Sequence, residues 1–91
     1  IPCNGVYAVE VQLDGIIYPG MLSIGSNPTV NTDAGLRSIE VHIINFEKDI
    51  YGRAISVIFR KRLREEVRFN STEQLTEQME LDKQYTIWLL T

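Results

Sequence analysis

One cysteine, Cys3, and one histidine, His42, are all that the 91 residues hold of either type. A lone thiol can form neither an internal disulfide nor a cysteine-based metal centre, and it points to a reducing compartment, the cytoplasm. A lone imidazole leaves no histidine cluster for a metal and no spare base for a conventional triad. A glycine-rich phosphate loop of the Walker or dinucleotide type is missing, as is a nucleophile elbow. No apolar run approaches the ~20 residues that span a bilayer, and no signal-peptide pattern follows Ile1, so no membrane partner is expected. Positive charge is not in excess either. Nine Lys and Arg against twelve Asp and Glu give a net charge of -3, which argues against a nucleic-acid-binding surface.

What is there suits a folded domain. With 44% hydrophobic and 23% charged residues the composition is that of a globular protein rather than a disordered one. The length allows one domain, residues 1–91, near the lower limit for a self-sufficient core. The chain reads as a piece of a longer one.

Residues Gly5 to Leu13 alternate, with Tyr7, Val9, Val11 and Leu13 on one face and Glu10 and Gln12 on the other, as in a half-buried strand. Asp14-Gly15 follows. Both tolerate the positive φ that a type I′ turn needs, so Ile16 to Ile24 should return antiparallel. Pro19 has no amide hydrogen and Gly20 no side chain, which predicts a bulge or an edge there. Gly25 to Gly35 is rich in turn formers and reads as a long loop of the kind that often carries function.

That loop delivers the chain into Leu36 to Phe46, where Ile39, Val41 and Ile43 point one way and Glu40, His42 and Ile44 the other. A carboxylate flanked by β-branched residues is partly desolvated unless something satisfies it, which makes Glu40 a candidate proton acceptor near neutrality. An edge-strand Glu facing water is the competing reading. Ala54 to Leu63 is a further strand with Ile55, Val57 and Phe59 on its buried face. Arg60, Lys61, Arg62, Arg64 and Arg68 fall within nine residues, a window that holds an anion or is balanced by Glu65 and Glu66.

Ser71 is a good N-cap, with Gln74 placed to complete a capping box. A helix is predicted from Thr72 to about Tyr85. Its stripes, Leu75 and Met79 beside Leu81, Tyr85 and Trp88, should cover a sheet or a barrel end. The expected fold is mainly β, an antiparallel set with one C-terminal α-helix. Four strands alone leave two open edges, and the strands that would close a barrel are expected upstream of Ile1.

Five pieces then occur in a telling order: Asn4-Gly5-Val6-Tyr7-Ala8-Val9; Gly20 to Thr29; Ile39-Glu40-Val41-His42-Ile43; Asp49-Ile50-Tyr51-Gly52; and Leu63-Arg64 followed by Phe69 and Ser71. Together, from Asn4 to about Lys83, they resemble the riboflavin kinase domain that forms the C-terminal part of bacterial bifunctional riboflavin kinase/FMN adenylyltransferase. The resemblance implies an antiparallel Greek-key β-barrel, here lacking its N-terminal strands. It also implies transfer of the γ-phosphoryl of ATP to the 5′-hydroxyl of riboflavin, giving FMN, with Mg²⁺ required and, as in the bifunctional enzymes, an adenylyltransferase domain fused upstream.

On that mapping Glu40 matches the catalytic carboxylate that accepts the hydroxyl proton. Arg64 and Phe69 match the loop that closes over the flavin, and Tyr51 a loop near the nucleotide. His42 reads as a structural histidine. Pro28-Thr29-Val30-Asn31 looks like the family's Pro-Thr-Ala-Asn metal motif but follows the Asn-Gly-Val-Tyr strand instead of preceding it. No metal ligand is therefore assigned, and the Mg²⁺ ligands are expected upstream. The alternatives are a non-catalytic flavin-binding or regulatory module on this barrel, and a small β-domain serving only protein interaction.

Overall fold

Period-two alternation and one tight turn build the first half of the molecule. In the computed structural model, which describes residues 2–26, 37–46 and 52–91, β1 (Gly5–Leu13) and β2 (Ile16–Ser26) pair antiparallel without a break from Gly5↔Ile24 to Leu13↔Ile16. Asp14 and Gly15 both have positive φ, 52° and 77°, the combination that matches a two-residue turn to the twist of its strands.

Two further strands, β3 (Arg37–Ile43) and β4 (Ser56–Arg64), flank this hairpin, and α1 (Thr72–Leu90) closes the chain. The sheet order is β3-β2-β1-β4, with every pair antiparallel. Three strands in sequence with the fourth returning beside the first is the Greek-key arrangement. The described residues form it as an open sheet whose edges are β3 and β4.

One face carries the main core: Tyr7, Val9 and Val11 of β1, Leu22 and Ile24 of β2, and Ile43 of β3, with Tyr18, Phe46, Ile55 and Val57 packed against them. Phe59 meets Tyr7 edge to face at 5.2 Å but stays exposed, so it is less buried than its place in the alternation predicts. The reason lies in β4. Its pairing with β1 shifts between Ala8 and Val9 and again between Val6 and Tyr7, and bulges of this kind bend a strand away from flat register.

The bulge expected at Pro19 is not there. β2 is a central strand, and its register with β1 runs straight through Glu10↔Pro19. Pro19 is tolerated because the pairing of β2 with β3 stops at Gly20↔Ile43. The Pro19 carbonyl accepts a hydrogen bond from the Ile44 amide on the β3 side. In a strand the N and C=O of one residue point the same way, so the missing donor falls where β3 has ended and no ladder bond is lost.

α1 lies against β2 on the opposite face, over Val6, Ala8 and Met21, all buried. Ser71 caps it: its Oγ accepts from the Gln74 amide at 3.1 Å, while the Gln74 side-chain oxygen accepts from the Asn70 amide at 3.1 Å. The reciprocal bond thus reaches one residue further back than a capping box predicts. The helix also runs five residues beyond Tyr85.

Its buried face departs from expectation more sharply. The helix residues that are buried are Asp82 and Thr86, on a stripe with Leu75 and Met79. Leu81 and Trp88 are 64% and 71% exposed. Tyr85 stacks on Trp88 at 5.7 Å, under the Lys61 ammonium. The Leu81-Tyr85-Trp88 stripe is thus largely exposed, and among the described residues Tyr85 meets the sheet through the Lys61 side chain of β4.

Candidate active site

Alternation places Glu40 and His42 on the helix side of edge strand β3, because Glu40 pairs with Ser23 and His42 with Met21. Between this edge and α1 lies a groove of about 410 Å³. Val6, Met21 and Ser23 contribute from the sheet, Glu40 and His42 from the edge, and Leu75, Met79 and Asp82 from the helix. The wall is completed by Arg64 at the end of β4 and by Glu66, Val67 and Phe69 of the segment leading to the helix. Three of the four expected site residues, Glu40, Arg64 and Phe69, line this one groove. The fourth, Tyr51, lies outside the described residues, as does Pro28-Thr29-Val30-Asn31.

Glu40 and His42 are both exposed. The desolvation expected for Glu40 from its β-branched neighbours is therefore absent: Ile39 and Val41 project from the other face and leave its carboxylate open to solvent. A smaller cavity of about 240 Å³ on the far side of the edge is lined by Val41, His42, Ile43, Phe46 and Ile55. His42 thus borders both spaces.

Arg64 is fixed more firmly than any other cation described. Its Nε lies 3.2 and 3.0 Å from the two Asp82 carboxylate oxygens, and its Nη2 donates to Oδ2 at 2.8 Å. Asp82 is 6% exposed and also accepts from Gln78 Nε2 at 3.0 Å. The Arg64 Nη1 donates to the Glu65 carbonyl at 3.1 Å, and the guanidinium carbon sits 5.7 Å from the centre of the Phe69 ring. Bidentate pairing of this kind fixes both position and plane.

Three of the four remaining basic residues of that window are dispersed. Arg60 pairs with Glu10 at 3.2 Å, Arg62 donates to the Asn4 carbonyl at 2.8 Å, and Lys61 lies over Tyr85. Arg60, Lys61, Arg62 and Arg64 therefore do not converge on an anion. Glu66 sits above Gly25 of β2, where a Cβ would come within 2.6 Å of its carboxylate.

Asp82 and Gln78 escaped the sequence reading. The signal was present, because Asp82 falls three residues after Met79 and seven after Leu75 on one helical stripe, and an acid on a stripe that faces a sheet needs a cation. Which cation could not be read from the chain, since Arg64 is eighteen residues away. As to metal, no group of three or more His, Cys, Asp or Glu among the described residues is arranged to hold an ion. Asp82, the most buried carboxylate of the groove, is already engaged by Arg64 and Gln78. The described residues do not amount to a Mg²⁺ site.

The sequence model of the flavokinase family, riboflavin kinase, matches residues 1–90. This chain belongs to the riboflavin kinase family. Among its relatives is the bifunctional riboflavin kinase/FMN adenylyltransferase of Bacillus subtilis strain 168, 42% identical over 88 residues, which are 96% of this chain and 28% of that protein. The proteins of the same name from Pseudomonas fluorescens and Escherichia coli K12 are 44% and 45% identical, each match covering 90% of this chain and 26% of the relative. The chain thus spans about a quarter of the length of the curated relatives it matches.

A crystal structure from Streptococcus pneumoniae, described as a macrolide-efflux protein, superposes with a TM-score of 0.79 at 36% identity, covering 94% of this chain and 28% of that one. That name belongs to the neighbour, and the likeness supplies the fold. A mainly β domain with a C-terminal helix is thus what both the riboflavin kinase family resemblance and the strand pattern imply. Among the described residues no helix is long and apolar enough to cross a membrane.

Proposed function

We propose that residues 1–91 form the C-terminal part of a riboflavin kinase domain, working in a longer cytoplasmic chain with an upstream adenylyltransferase domain. The reaction is transfer of the γ-phosphoryl of ATP to the riboflavin 5′-hydroxyl. The observation that carries this reading is the convergence of Glu40, Arg64 and Phe69, from separate segments of the chain, on one groove beside α1.

Phosphoryl transfer asks a protein for positioning and charge neutralisation, plus one group that orients and deprotonates the nucleophile. Glu40 is that group. Its carboxylate takes the 5′-hydroxyl proton as the new O–P bond forms and the bond from Pγ to the β,γ-bridging oxygen breaks, leaving FMN and ADP. Its openness to solvent in the free protein suits a base whose hydrogen bond tightens once substrate is bound. The apolar walls, Val6, Met21, Leu75 and Met79, suit a flat aromatic ring system, and the Arg64–Phe69 pair offers it a guanidinium and an aromatic edge. Tyr51 is assigned to the nucleotide. Mg²⁺, when bound, neutralises charge on the transferring phosphates; its ligands are assigned to sequence preceding Ile1.

Glu40→Gln in the parent protein tests the assignment. General-base catalysis contributes about 10²–10⁴-fold, so turnover should fall by that factor while riboflavin binding, read by quenching of flavin fluorescence, stays within about twofold. Retained turnover removes Glu40 from the chemistry. Flavin binding without phosphorylation by the unmodified protein favours a non-catalytic flavin-binding module, and no binding at all favours an interaction domain.

A further inference from the structure

A buried carboxylate in mid-helix needs a reason. Exchanging a buried ion pair for well-packed apolar residues is often neutral or stabilising, so such a pair is weak evidence of a stabilising role. Asp82 nevertheless occupies the stripe of α1 that faces the sheet, where neighbouring positions are Met79 and Thr86. What it does there is hold one guanidinium through Nε and Nη2, with Gln78 steadying its Oδ1.

That guanidinium ties together the segment of residues 65–69. Its Nη1 holds the Glu65 carbonyl at the start, and its plane lies near the Phe69 ring at the end. In the middle, Glu66 rests on Gly25, which leaves room for its carboxylate by having no side chain. Among the described residues, the Arg64 side chain thus links this segment to Asp82 of the helix.

We propose that Asp82 is a positioning residue for the flavin side of the groove. It fixes Arg64, and through Arg64 the two ends of the 65–69 segment, from which the loop closes over the flat ring. Fixing the anchor of the loop lowers the ordering cost of binding. The inference rests on the kinase reading only for its ligand; the tether from Asp82 through Arg64 to Phe69 stands on geometry.

Asp82→Asn in the full-length parent protein keeps the shape and removes the charge. Losing a charge-assisted fork is expected to raise the KM for riboflavin about tenfold or more, with the KM for ATP changed by less than about twofold. Without ligand, backbone ¹⁵N order parameters of residues 65–69 should fall to below about 0.6, since their anchorage is lost. A purely structural Asp82 would lower the folded fraction and leave both KM values alone. An unchanged riboflavin KM, an equal rise in both, or unchanged order parameters at 65–69 overturns the proposal.

Gln78→Leu, which removes only the supporting donor, should shift both readouts the same way by a smaller factor. It serves as the test should Asp82→Asn not fold, and no shift in it then counts against the tether. Failure of the unmodified parent to bind or phosphorylate riboflavin refutes the kinase reading instead, while the order-parameter measurement still decides the tether.

Discussion

Thr86 offers a perturbation whose sign runs against the usual effect of core substitutions. Its side chain is fully buried beneath α1, at 0% exposure, and its Oγ1 finds no hydrogen-bond partner among the described residues. Valine has the same branched shape with a methyl in place of the hydroxyl, and the two residues have near-equal helix propensities. A buried hydroxyl without a partner costs about 1–3 kcal/mol. Thr86→Val should therefore stabilise the chain by about 1–2 kcal/mol, taking the lower part of that range because backbone carbonyls nearby offer weak compensation.

For a domain of this size each kcal/mol moves Tm by about 4–8 °C, a shift easily read by circular dichroism on heating or in urea. Thr86→Ser provides the opposite arm. It keeps the hydroxyl and deletes a buried methyl, and should cost about 0.5–1.5 kcal/mol. A Thr86→Val variant less stable than the parent would show that the hydroxyl is satisfied, through the carbonyl one turn back or otherwise, and would refute the reasoning.

Other outcomes follow from the same structure. Because Glu40 is exposed, Glu40→Gln should leave Tm unaltered to within about ±0.5 kcal/mol in stability, so that its loss of turnover cannot be put down to unfolding. Ser71→Ala removes the acceptor for the Gln74 amide and should cost about 1 kcal/mol in urea unfolding, with Ser71→Asp restoring most of it. Gly15→Ala forces an L-residue to φ 77° and should cost about 1–2 kcal/mol, read in the same experiment; a neutral result would mean the turn can adopt another type.

The hairpin was legible because two independent signals agree there: strict alternation over Gly5–Leu13, and a dipeptide whose φ preferences suit only one turn. The start of α1 was legible from Ser71 and Gln74 for a similar reason, since capping is decided within four residues. The buried side of that helix was not. Counting apolar residues favours Leu81, Tyr85 and Trp88, yet the sheet beneath receives Asp82 and Thr86, because Arg64 arrives from β4 with a charge to be matched. That pairing joins positions eighteen apart, and local pattern carries no information about it. Glu40 stands between the two cases: its strand and facing were readable from alternation, whereas its openness to solvent depended on what lies beyond the edge of β3.

The irregular pairing of β4 with β1 has a consequence for reach. Val9 is opposite Phe59 but Val6 is opposite Arg64, so β4 spends five steps where β1 spends three. Had the strands run in even step, Arg62 would stand beside Val6, and Arg64 would overshoot by two residues, roughly 7 Å at the usual strand rise. Such a distance would carry the guanidinium past Asp82 altogether. The two surplus residues, Arg60 and Leu63, thus act as a vernier, setting which cation of a crowded basic run meets Asp82.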